Sequence, residues 1–200
     1  AFFKDHFAKR QIDRLWVVGS NDETAPFIDQ SYKSFLKILE NHLKIQPYLL
    51  GPTPSSCDFA VYGQLTQLVG FDPTPRKIAH ELAPRVIGWV RSLEDRSGLE
   101  VKESKLTLSD LPQTIHDLFK EMSTSYVPTM IANKKAIEEG DDEWEIDLDK
   151  GKWKQKSFPY QAKCLTWIKE EYEKLDNDKK DEVFSFLQLN HCESLVASNE

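Results

Sequence analysis

Three cysteines (Cys57, Cys164, Cys192), the pair His191-Cys192 and the acidic run "EEGDDEWEIDLD" (138–149) are residues whose types could do chemistry. A thiolate and an imidazole hold zinc only with a second pair at matching spacing, and His191-Cys192 has none, so no metal is expected. Setting Gly151 as the sixth residue of a calcium loop puts Ile146, Leu148 and Lys150 at ligand positions, which excludes that loop. The acidic run therefore reads as a solvated charged face. No HExxH, GxSxG, GxGxxG or P-loop occurs. Tyr126 and Asn133 flank Pro128, where a broken helix could let polar groups line a pocket. The competing reading is a satisfied buried tyrosine and a solvated asparagine.

Composition narrows the classes. The chain has 200 residues, 40% of them hydrophobic, enough to bury a core in one large domain or two small ones. A net charge of −7 argues against nucleic acid or an anionic membrane, which need a basic face to displace counterions. The lysines alternating around Trp153 read as a guard against edge-strand aggregation. An odd number of thiols, with no CxxC and no N-x-S/T sequon, fits a reducing cytoplasmic location. No uncharged run is long enough to span a membrane, and no signal peptide is visible. The first residue, Ala1, fits either a trimmed start methionine or a cut inside a longer protein.

Helical spacing dominates the pattern. Ile28, Tyr32, Phe35, Leu36, Leu39 and Leu43 predict a long helix from about Asp22 to Lys44, with Asp22 and Glu23 suiting its dipole. Val61, Tyr62, Leu65, Leu68 and Val69 predict a helix apolar on more than one side, hence buried in a bundle. A shorter helix starts near Pro84 and carries Val86, Trp89, Val90 and Leu93, with Gly98 as its stop. The pattern resumes from Leu111 to Tyr126, is kinked or interrupted at Pro128, and returns over about Pro159–Leu175 and Asp178–Leu189. One small β-hairpin is expected at about residues 143–156. Centred on Lys150-Gly151, it sets Leu148 opposite Trp153, Asp147 opposite Lys154 and Glu145 opposite Lys156, with a two- or four-residue loop. The composition shift near Leu99 to Thr107 divides the chain into 1–100 and 101–200, both helical.

The stretch "YLLGPTPSSCDFAVYGQL" (48–65) spends many special residues on one helix entry. Ser55 and Asp58 have the spacing of a capping box, Pro54 and Phe59 that of a hydrophobic staple, and Gly51 permits a tight approach. These are structural roles. Leu49, Gly51, Pro54, Ser55, Asp58 and Phe59, followed by "AVYGQL", resemble the capping-box and staple segment that opens the buried central helix of the glutathione transferase C-terminal domain. The order of elements resembles that domain over the first half of the chain, with "DPTP" (72–75) as a Pro-containing loop and "APRVIGWV" as the following helix. The second half, through "YVPTMIAN" and "FPYQAKCLTWIKEEYEKL", resembles the extension of a bacterial branch of glutathione-transferase-like proteins.

The resemblance implies an all-α fold: a glutathione-transferase C-terminal-like helical bundle with extra C-terminal helices and the hairpin. It also implies that the thiol-activating, N-terminal thioredoxin-like domain is not in this chain, so no catalytic residue is expected here. By position in that family, Phe3, His6 and Arg10 on the first helix become electrophile-pocket candidates beside Tyr126 and Asn133. Glutathione would be the co-substrate of the intact protein, small electrophiles its substrates, and a homodimer its assembly. The other class the resemblance admits is a non-catalytic docking module. An ordinary amphipathic helix is the plain reading of the Phe3, His6 and Arg10 segment.

Overall fold

The computed structural model describes residues 2–100, 107–149 and 151–197. The middle of the expected boundary, 101–106, and Lys150 of the expected turn lie outside the described residues. The fold is mostly helical with one two-stranded antiparallel sheet. The elements are α1 (Phe2–Ile12), α2 (Ala25–His42), α3 (Ser56–Gly70), α4 (Pro73–Leu82), α5 (Pro84–Leu93), α6 (Gln113–Thr124), α7 (Tyr126–Glu139), β1 (Glu143–Leu148), β2 (Gly151–Lys156), α8 (Pro159–Glu173) and α9 (Asn177–Leu189). Contacts gather into two compact units, 31–121 and 1–30 with 122–200. These divide the chain inside α2 and α6, whereas composition divides it near residue 100.

In the unit 31–121, α3, α4 and α5 pack against one another. Its core holds Leu36 and Leu39 of α2, Leu65 and Val69 of α3, and Val86, Trp89, Val90 and Leu93 of α5, all buried. Each such side chain contributes about 1.5–3 kcal/mol on leaving water. Helix α5 begins with Pro84 as expected and ends at Leu93, so Gly98 follows the helix and does not stop it. The "DPTP" segment is not a loop. Pro73 and Pro75 sit in the first turn of α4, where a missing amide costs no intrahelical bond. Helix α3 buries Asp58, Leu65 and Val69 on one side only, and Phe59 is 45% exposed. That corrects the expectation of burial on more than one side and leaves the staple phenylalanine nearly half exposed.

In the other unit, α7 packs on α8 and on β1. Its core includes Val127, Met130, Leu165, Leu187 and Leu195. The expected break near Pro128 falls at Ser125, whose φ of −139° and ψ of −63° leave helical geometry. Pro128 then lies in the first turn of α7 and kinks nothing. The hairpin is present, and its register differs from expectation by two residues: Ile146 faces Trp153, Asp147 faces Lys152, Glu145 faces Lys154 and Glu143 faces Lys156. Leu148 pairs with Gly151. A slip of two keeps every side chain on its own face, and apolar still meets apolar and acid still meets base.

The hairpin is clasped to a short 3-10 turn, Leu15–Val18, and the glycine after it. Gln155 is buried; its Nε2 donates to the Val17 carbonyl at 3.1 Å, and its Oε1 accepts from Trp153 Nε1 at 3.1 Å. The Thr24 hydroxyl donates to the Gly19 carbonyl at 2.6 Å, and the Trp153 ring meets Phe27 edge-on at 5.6 Å. Gly19 has φ +69°, and a Cβ there would stand 2.6 Å from Cζ2 of Trp153 and 2.7 Å from Oε1 of Gln155. Gly19→Ala must therefore both strain the backbone and displace the ring. Urea unfolding should show a loss of about 2 kcal/mol or more, while G98A, at a positive φ with open space around it, should lose less.

Candidate functional site

Most of the buried polar side chains of the unit 31–121 converge on the segment between α2 and α3. Asp58, in the first turn of α3, is completely buried. Its Oδ2 accepts from the Ser55 amide at 2.8 Å and from the Ser55 hydroxyl at 2.7 Å, and its Oδ1 accepts from the Leu49 amide at 2.8 Å. Ser55 and Asp58 thus close the expected capping box, and the same carboxylate fixes the chain nine residues back. Positive helix-terminal amides favour an anion at this end. Gly51 takes φ +127° and bridges to Tyr48, which is the tight approach expected of it.

His42, also completely buried, supports the segment from the other side. Its Nε2 lies 3.0 Å from the Tyr48 carbonyl, which can only accept, so Nε2 carries the proton. Nδ1 then accepts from the Thr114 hydroxyl at 2.8 Å. Gln46 donates to the Leu49 carbonyl at 2.8 Å, and Trp89 Nε1 donates to the Pro47 carbonyl at 3.0 Å. A second buried carboxylate, Glu40, accepts from the Arg85 and Val86 amides at 2.8 and 3.3 Å and from the Arg85 guanidinium at 3.1 Å. Helix α5 has no side-chain cap of its own, and α2 supplies one. Glu40 and Thr114 carry no local sequence signal, because their partners lie far along the chain, and the same holds for the His42–Thr114 bond.

This arrangement has the residue types of acid–base chemistry and the connectivity of a scaffold. Both His42 nitrogens are engaged, and neither His42 nor Asp58 reaches solvent. The thiol of Cys57 lies 2.9 Å from the Ser55 hydroxyl, yet burial pushes its pKa up, so little thiolate forms near neutral pH. Burial likewise raises the Cys192 thiol to about 11 and the Tyr32 phenol to about 12.

The pocket candidates lie in the other unit. Phe3, His6 and Arg10 share one face of α1, and all are exposed, Phe3 at 88%. The Phe2 ring stacks on His6 at 6.1 Å. Tyr126 is 38% exposed, and burial of the remainder, with Cys164 nearby, raises its pKa. Asn133 is neither solvated nor open to a pocket. It is completely buried, accepting from Trp144 Nε1 at 3.2 Å and the Phe158 amide at 2.8 Å, and donating to the Phe158 carbonyl at 3.0 Å. One depression of about 480 Å³ lies beside Tyr172, Asp181 and Phe184, and another of about 350 Å³ beside Lys134, Lys163 and Trp167. None of the five candidates lines either.

Among the described residues, no group of three or more His, Cys, Asp or Glu is placed to hold a metal ion, and no helix is long and apolar enough to cross a membrane. The chain matches no family model, no curated protein and no solved structure.

Two outcomes test the buried scaffold. Asp58→Ala strands the Leu49 and Ser55 amides and should cost about 3 kcal/mol in urea unfolding, with Asp58→Asn, which keeps one acceptor oxygen, costing less. His42 gives a pH dependence. Burial lowers its pKa below the ordinary 6.5, outweighing the Tyr48 carbonyl and the Asp58 charge, which favour the protonated form. The unfolded chain therefore takes up the proton first as pH falls. The stability contributed by neutral His42 is complete above 6.5 and declines below it, toward the lowered folded value. Wild type should lose more stability between about pH 7.5 and about pH 5.5 than His42→Gln, read by denaturant midpoint.

Proposed function

We propose that this chain is the helical, electrophile-pocket half of a glutathione-transferase-like protein. The intact protein would be a cytoplasmic, homodimeric enzyme that delivers glutathione thiolate to an electrophilic carbon, or reduces a peroxide or disulfide. The observation that carries the reading is Asp58. Buried at the start of α3, it closes the capping box with Ser55 and holds Leu49, which are the residues on which the resemblance rests.

The thiol whose pKa must be lowered is that of glutathione. Its activation is assigned, as the resemblance implies, to a domain outside these residues, and the present chain to the pocket of the second substrate. Phe3, His6, Arg10 and Tyr126 remain the pocket residues of this proposal because each keeps exposed surface. Asn133 would act only through the packing of α7.

A non-catalytic docking module is the second reading. It is favoured by large apolar side chains left exposed in α3 and in the segments flanking it: Phe59 is 45% exposed, Phe71 74%, Ile45 62% and Leu50 41%. Calorimetric titration of glutathione into the longest natural form of the protein separates the two. The enzyme reading expects saturable binding there and no thiol transfer to a chromogenic electrophile by the isolated 200 residues. Absence of glutathione binding would favour docking, and activity of the isolated chain would overturn the division of labour.

A further inference from the structure

Helix α8 carries two large aromatic side chains that the fold leaves partly in water. Tyr160 is 58% exposed and Trp167 43%. Their rings meet edge to face, with centroids 6.1 Å apart and planes at 89°, so they stand as two walls at a right angle. Lys163 comes between them in sequence, and steps of three and four put all three residues on one face of the helix. Its Nζ lies 4.9 Å from the centre of the Trp167 ring. An indole face attracts a cation more strongly than any other side-chain ring, and here the chain itself supplies the cation.

Trp167 and Lys163 also line the depression of about 350 Å³ formed by residues of α7 and α8, a volume at the lower end of small-molecule sites. Ile137 and Ala162 give it further apolar wall, and Glu138 and Glu170 bring a carboxylate from each helix. Lys134 pairs with Glu138 at 3.6 Å. Apolar walls, a ring face and nearby acids suit a cation whose charge is wrapped in methyl groups. Its methyls enter the hollow with no hydrogen bond to lose, and its charge is met by the ring and the carboxylates. A primary ammonium must give up bound water to lie against the ring, so Lys163 is the weaker occupant. Lys163 is exposed, and swinging out returns its ammonium to water.

The geometry points to a site for a small quaternary ammonium of the choline class, bound over Trp167 in the place that Lys163 now takes. The net charge of −7 favours the approach of such a cation. None of the residues assigned to the electrophile pocket lines this depression, and the inference does not rest on the glutathione reading.

Nuclear magnetic resonance titration of the 200-residue chain with choline at constant ionic strength tests it. The Trp167 indole N–H should shift saturably, with a dissociation constant of roughly 1 mM. The uncharged isostere of choline, in which carbon replaces the nitrogen, should bind about tenfold more weakly. Lys163→Met removes the tethered competitor and should tighten choline binding about threefold. Trp167→Leu keeps apolar bulk without the ring face, and saturation transfer to the choline methyl protons should vanish. Trp167→Tyr, which keeps a smaller ring, should restore part of it, a recovery that a purely structural role would not give. No saturable shift, equal affinity for the isostere, no tightening by Lys163→Met, or full binding by Trp167→Leu would overturn the proposal. Phosphatidylcholine vesicles carry the same group on a lipid surface; the chain should not pellet with them, and pelleting would overturn the assignment to a free ligand.

Discussion

The unit 31–121 depends on a buried carboxylate that serves two stretches of chain at once. Asp58 satisfies the amide of Ser55 at the helix start and that of Leu49 nine residues back. An anion with no access to water persists only when its lone pairs are met by donors, so the segment 48–55 and the first turn of α3 must be placed together. From that constraint follow the tight conformation at Gly51, the seating of Tyr48 and Leu49 in the core, and the positions from which His42, Gln46 and Trp89 reach the intervening carbonyls. Glu40 repeats the device for α5, with the cap borrowed from a neighbouring helix.

The other unit solves the same problem with neutral groups. Asn133 meets both the amide and the carbonyl of Phe158 while accepting from Trp144, so one amide side chain joins α7, the hairpin and the entry to α8. Gln155 does similar service for the 3-10 turn before α2, and Gly19 leaves room for the Trp153 ring that covers it. Both clamps are polar groups buried with full partnership, which favours a single arrangement over slipped alternatives.

What could be read from sequence was what acts locally. The period of α2, the Ser55–Asp58 spacing and the alternation of the hairpin are all set by residues within a few positions of one another. The hairpin register escaped because a shift of two preserves both face and charge pairing, leaving the loop to decide. The helical nature of "DPTP" was obscured because prolines mark loops and first turns alike. Glu40 could not be found because its partners begin 45 residues away, and His42 because one of its two, Thr114, stands 72 residues away. Exposure of Phe59 and of α1 escaped for a related reason: apolar spacing says which side could be buried and not what is there to cover it.

In the proposed reading these structural devices hold a pocket half whose chemistry is completed elsewhere. The central claim is that the 200 residues are part of a longer enzyme, and the reading frame upstream of the codon for Ala1 tests it most directly. Sequencing the coding DNA there should reveal an open frame of about another domain length, encoding alternating strands and helices with a Pro-containing turn. A start codon immediately before Ala1 would contradict the account and leave a helical docking module.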